Sequence, residues 1–254
     1  MSFTTSFVQK ISYMHFSKNA KTSIFILLLA SLSVISCGKI SPKGNISMKE
    51  VKVENFNQIE TEGKFRVFLV TSPRNAVEVE TYPNIFDNLK IKVKDGILEI
   101  SERRPTKGVD FYNVTVYAKN HPTLISVADS VEFNVSGEIK TDNIRIQLKN
   151  NGKFIGSVRT KKTEVDMQDT SIANFKGFTQ DAVLKVKDTA GIIAPYWKID
   201  NLRMEIRNGS YAEVNAEDSI NGSVQNTAKF TYYNNPVRAF RIDKGATVEN
   251  KELE

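Results

Sequence analysis

The chain has 254 residues, 40% hydrophobic and 25% charged, which is a globular composition and not a disordered or collagen-like one. One cysteine and two histidines exclude a disulfide framework, a cysteine-built zinc site and an iron–sulfur site. Residues 1–37 hold Lys10, Lys18 and Lys21 and no acid, so the formal charge of +6 falls to +3 without them, too mild for a nucleic-acid partner.

The first element is an address. Residues 24–35 form an apolar run of twelve behind Lys18 and Lys21. A membrane-spanning helix needs about 20 apolar residues, so the run fits the core of a signal peptide over residues 1–36, starting at Met1 or Met14. It ends at Val34-Ile35-Ser36-Cys37-Gly38, which resembles a bacterial lipobox, where the cysteine is acylated and becomes the mature N-terminus. Acyl chains contribute about 0.8 kcal/mol per buried CH₂, so several on Cys37 would hold the protein firmly to a membrane. The Gly, Ser, Pro and Lys of residues 38–49 predict a flexible tether, making residues 37–49 a lipidated N-terminus and spacer. Lys39 stands where an inner-membrane retention acid would, which points to the outer membrane, periplasm-facing, with surface exposure as the alternative.

Residues 50–254 read as one domain with a β-rich start. Residues 65–69 and 76–79 predict strands separated by Ser72-Pro73-Arg74-Asn75. Residues 90–100 predict a hairpin, because Asp95-Gly96 suits a type I′ turn. Val114, Val116 and Ala118 alternate in a further strand before His121-Pro122.

From residue 125 the chain repeats. Anchors at Asp129, Asn150, Asp169, Asp188, Asn208, Asn226 and Lys244 are 21, 19, 19, 20, 18 and 18 residues apart. Of the 28 positions two and four before, and four and six after, these anchors, 25 are apolar, far above what 40% composition supplies. Apolar residues two apart face one side of a strand, and Asp or Asn followed by a small residue turns the chain. Each repeat predicts two short strands around a polar corner. None can bury its apolar face alone, so the repeats must stack. The predicted fold is all-β: a right-handed parallel β-solenoid (β-helix) of about 20-residue repeats with a β-rich N-terminal start that caps it. Three before the anchors stand Ser126, Gln147, Asp166, Lys185, Glu205, Ser223 and Arg241, an outward column of alternating sign in its centre.

Several stretches carry a family resemblance: Phe56-Asn57-Gln58-Ile59, Gly63-Lys64-Phe65-Arg66-Val67, Asp95-Gly96-Ile97-Leu98-Glu99-Ile100, Pro122-Thr123-Leu124 and Tyr232-Tyr233-Asn234-Asn235-Pro236. In order and spacing they resemble the putative auto-transporter adhesin, head GIN domain family over roughly residues 50–250. The resemblance implies a secreted or lipid-anchored β-solenoid with an adhesive role and no catalytic motif to carry over. Asn234 stands where the family often has glycine, and Asn tolerates the left-handed backbone such a position requires.

Candidate sites are few. His121, the sole histidine after the signal segment, precedes a proline and reads as a loop residue. Asp169 and Asp188 occupy one corner on adjacent rungs, where they serve the turn or, alternatively, share a cation or run sugar acid/base chemistry. Tyr196, Trp197 and Tyr233 either cap the core or stack on a ligand, Pro195-Tyr196-Trp197 standing outside the repeat template. No cofactor is expected. The function predicted is a non-enzymatic cell-envelope lipoprotein, anchored in the membrane and binding a glycan or envelope protein. The alternatives are a polysaccharide-acting enzyme using stacked acids and a purely structural envelope protein.

Overall fold

The computed structural model describes residues 38–252. Six of the seven repeat anchors have a left-handed backbone, with φ from 56° at Asn150 to 65° at Asn208. Asn and Asp enter this region at low cost because their short side chains bond locally, which is why the corners use them. Lys244 turns the chain without a positive φ. Between corners the chain is extended: β8 (Leu124–Asp129), β9 (Glu132–Leu148), β10 (Lys153–Met167), β11 (Ile172–Val186), β12 (Gly191–Ile206), β13 (Tyr211–Val224), β14 (Lys229–Tyr233), β15 (Val237–Ile242) and β16 (Thr247–Lys251). Consecutive rungs pair in parallel, giving a β-solenoid of about seven turns, with repeats about 19 residues apart.

The repeat template and the observed register coincide. Asp166 pairs with Gln147 and Lys185, and Glu205 with Lys185 and Ser223, as the outward column requires. The cross-section differs from the expectation of two strands per repeat. In β10 the buried residues fall in three groups: Phe154, then Val158 and Thr160, then Thr163, Val165 and Met167. Lys161 and Lys162 both point outward, so the alternation changes phase there, and the register shifts near residue 156 mark another bend. Each turn therefore has three short faces.

Side-chain volume is complementary between rungs. Phe154 pairs with Ala173 and Gly156 with Phe175, so each ring fills the space left by its small neighbour. The rings stack at a centroid distance of 4.8 Å, and Trp197, opposite Gly177, stacks on Phe175 at 4.8 Å. A Cβ on Gly177 would lie 2.1 Å from the Val158 carbonyl oxygen, so the close approach requires glycine. Four buried polar groups meet beside this stack. Thr160 and Thr163 hydroxyls lie 2.7 Å apart, Thr179 lies 2.9 and 3.0 Å from them, and Trp197 Nε1 donates to Thr179 Oγ1 at 2.9 Å.

The start of the stack uses chain distant in sequence. β2 (Gln58–Gly63) and β3 (Arg66–Thr71) form a rung with its corner at Gly63-Lys64 and lie parallel to β8 and β9. Gly63 pairs with Asp129, and Ile59, Thr61, Val67 and Leu69 occupy the inward positions. β4 (Ala76–Thr81), β5 (Leu89–Lys94), β6 (Ile97–Glu102) and β7 (Asn113–Ala118) build on that rung, with a short helix α1 (Pro83–Phe86) between β4 and β5. β7 inserts between β3 and β4, parallel to the first and antiparallel to the second. The β5–β6 hairpin turns at Asp95 (φ 52°) and Gly96 (φ 77°), both positive as a type I′ turn demands.

The flexible tether predicted for residues 38–49 is corrected by the structure. Ile40 bridges Thr106: its N–H donates to the Pro105 carbonyl and its carbonyl accepts from the Lys107 N–H, both at 2.9 Å. Asn84 clamps the next residues, accepting from the Lys43 N–H at 2.8 Å and donating to the Ser41 carbonyl at 2.9 Å. β1 (Ser47–Lys52) then pairs antiparallel with β4. A polar composition permits flexibility, but the edge of β4 and the loop after β6 offer backbone partners that this segment takes up.

Candidate functional site

The corner column is knit by its own side chains. Asn150 Nδ2 donates to Asp129 at 2.7 Å, Asn208 Nδ2 to Asp188 at 3.1 Å and Asn226 Nδ2 to Asn208 at 2.9 Å. Asp169 accepts the Asn150 N–H at 2.9 Å, and Asp188 accepts the Asp169 N–H at 3.3 Å. Asp169 and Asp188 thus belong to a ladder that satisfies corner backbone, and among the described residues no cluster of three or more potential ligands forms a cation site. His121 is half-buried, and burial lowers its pKa.

The three aromatic candidates separate. Trp197 is fully buried within the ring stack, its N–H spent on Thr179, and presents no face to a ligand. This corrects the contact reading of Trp197 to the core one. The physical reason is the bulge at Pro195-Tyr196-Trp197, where β12 carries three residues more than β13. The extra length turns Tyr196 out and Trp197 in. Tyr233 is also buried, and its hydroxyl donates to Glu213 at 2.5 Å, which corrects the same contact reading for that ring. Tyr211 donates to the other oxygen of Glu213 at 2.5 Å. The phenol of Tyr233 is pushed up to about 12 by the Glu213 hydrogen bond and by burial, and that of Tyr211 to about 12 by burial and Glu213. Tyr196 alone is open to solvent, at 61% exposure.

Beside Tyr196 lies an apolar patch that the template analysis missed. Ile155, Ile172 and Ile193 are 46%, 49% and 44% exposed on three successive rungs. Ile155 and Ile193 flank Asn174 in one column, roughly 10 Å apart at the rung spacing, and Ile172 stands in the adjacent column. Gly191 follows Ile172 in that column with open space where a side chain would stand, leaving a notch beside Tyr211. A signal was present in the sequence. These isoleucines stand three or five residues after their anchors, offsets whose parity is outward, where apolar residues have no core to fill.

Charge is distributed differently. Glu164 accepts from Lys162 and from Arg145, which together hold its carboxyl at about 2. Asp200 is raised by burial and by the neighbouring acids Asp218, Glu217 and Asp181, on a corner that sequence reasoning did not single out. Cys37 and the signal segment lie outside the described residues.

Parallel rungs with regular outward columns define a β-solenoid, which carries exposed isoleucines on three successive rungs. The chain belongs to the family described as putative auto-transporter adhesin, head GIN domain, whose pattern matches residues 55–236. Among solved structures it is similar to a putative adhesin from Bacteroides fragilis NCTC 9343, at TM-score 0.75 and 18% identity over 84% of this chain and 100% of that one. A putative adhesin from Parabacteroides distasonis ATCC 8503 superposes at TM-score 0.69 with 19% identity, covering 84% and 100%. A protein from the same organism described as a putative lipid binding protein gives 0.68 with 15% identity, covering 85% and 100%. At these identities the likeness establishes the fold. No curated protein matches the chain.

Proposed function

We propose that this protein is a non-enzymatic, adhesin-like binding module of the cell envelope, held to the outer membrane through an acylated Cys37. It takes a glycan or envelope-protein partner on the outward surface of Ile155, Ile172 and Ile193, with Tyr196 across the adjoining bend. The observation that carries this reading is the patch: four exposed large apolar side chains, gathered on adjacent rungs of a rigid sheet, exceed the single exposed residues of an ordinary surface. Tyr196 supplies a ring suited to stacking on a sugar or packing on a protein, and the isoleucines supply branched aliphatic area at little entropic cost.

The test is capture of defined glycans and of purified envelope proteins by the wild-type chain and by Tyr196→Ala and Ile193→Ser. Saturable capture reduced at least about tenfold in both variants, with unchanged circular dichroism, supports the site; a loss of this size is ordinary for a central contact residue. Capture indifferent to both moves the site elsewhere, and absence of any capture removes the adhesive role for those ligands. The polysaccharide-acting alternative is examined in parallel: turnover that disappears in Asp169→Asn or Asp188→Asn favours it.

A further inference from the structure

The point at which the chain joins the fold has a consequence for how the domain meets the membrane. Ile40 is fixed by its bridge to Thr106, with its side chain packed against the core. Three residue steps separate it from Cys37, a reach of at most about 11 Å. A lipid anchor there does not lift the domain away; it holds the loop after β6 within about one Debye length of the headgroups.

That region is suited to such a neighbour. Lys39, Lys43, Arg103, Arg104 and Lys107 are all exposed around the bridge, and none has an acidic partner among the described residues. Ile46 and Met48, on and before β1, are exposed apolar side chains on the same strap. Acids also stand in the vicinity: Glu62 and Asp87 are exposed, whereas Glu102 and Asp110 are hydrogen-bonded. Glu62, Glu102 and Asp129 line a depression with Lys39 and Lys64, and Asp110 accepts from the Tyr82 hydroxyl at 2.9 Å. Glu102 accepts from Thr106 Oγ1 at 2.9 Å, and burial raises its pKa.

We propose that the basic rim of Lys39, Lys43, Arg103, Arg104 and Lys107 seats on the anionic headgroups of the bilayer, so that the N-terminal end of the solenoid is membrane-proximal. This rests on the lipoprotein reading for its anchor. From β6 the rungs run through β2, β8, β9, β10 and β11 to β12, six strand spacings or about 29 Å, which displaces the Tyr196 patch along the stack from the anchor.

The test uses the full chain purified from membranes, with intact mass reporting acylation of Cys37. Acylation removes the only native thiol, so single spin labels can be placed at Ser130→Cys, near the rim, and Thr247→Cys, on the last rung. Both sites are exposed. In mixed phosphatidylethanolamine and phosphatidylglycerol vesicles containing a nickel-chelating lipid, relaxation at 130 is expected to exceed that at 247 severalfold. The anchor alone keeps residue 130 the nearer of the two, so the rim is read from the variant with all five rim residues changed to glutamine. There, relaxation at 130 is expected to fall below the wild-type value, and an unchanged value overturns the proposal. Equal relaxation at the two sites in the acylated wild type overturns the proposal.

If the mass shows Cys37 unmodified, the lipoprotein reading fails separately, and the rim is judged by co-sedimentation of that chain with the same vesicles. Salt-sensitive binding then supports the rim, each charge being worth about fivefold and the five together more than about a hundredfold. Binding unchanged in the five-residue variant, or no binding at all, overturns it.

Discussion

Replacing Thr179 by valine separates a hydrogen bond from the packing around it. Valine has nearly the shape of threonine, so the Phe154–Phe175–Trp197 stack keeps its neighbours and no cavity opens. What changes is polar. Trp197 Nε1 donates only to Thr179 and is fully buried, so it is left without an acceptor. Thr160 and Thr163 remain 2.7 Å apart and satisfy one another. A lost buried hydrogen bond with an orphaned donor costs about 2–3 kcal/mol. Thr160→Val provides the control, because Thr163 and Thr179 stay 3.0 Å apart and the indole keeps its acceptor. Its cost is expected to be about 1 kcal/mol. Urea unfolding followed by far-UV circular dichroism and by the fluorescence of Trp197, the only tryptophan, measures both. Thr179→Val costing less than about 0.5 kcal/mol, or no more than Thr160→Val, would refute the assignment of the indole hydrogen bond.

Two further outcomes follow from the corner and the outer face. Asn208, at φ 65°, should tolerate glycine better than alanine by about 1 kcal/mol in thermal or urea unfolding, since both lose the ladder bonds and only alanine pays the left-handed backbone cost. Glu164 has a folded-state pKa of about 2, below its unfolded value, so its ion pairs stabilise the fold fully above the ordinary carboxylate range. That contribution is lost as pH falls from about 4.5 towards 2. The pairs are partly solvent-screened, so the contribution stays under about 1 kcal/mol, and Glu164→Gln should flatten that part of a stability–pH curve relative to wild type.

The corners and core of the solenoid were legible because one physical requirement recurs every rung. A left-handed turn selects Asp or Asn at the anchor, and parallel stacking places the same offset on the same face, so Asp166, Lys185 and Glu205 could be aligned from spacing alone. The β5–β6 hairpin was legible for the same local reason, two positive-φ residues in succession. The aliphatic patch was legible in principle, through isoleucine at outward parity.

Other features depended on contacts no local pattern contains. The rung of β2 and β3 stacks on β8 and β9 although the strands β4 to β7 intervene in sequence, so periodicity could not reveal it. Trp197 faces inward because the bulge beside β13 reverses its parity, and Gly177 opposite gives the ring room. The segment after Cys37 has the composition of a spacer, yet Ile40 finds Thr106 and Ser41 and Lys43 find Asn84. The sequence by itself determined the repeat, its corners and the faces that must be buried, since these follow from backbone conformation and side-chain alternation. Only the tertiary structure decided which distant strands close the N-terminal end, which of Tyr196, Trp197 and Tyr233 reaches solvent and that the fold begins as early as Ile40, because each depends on a partner far away in the chain.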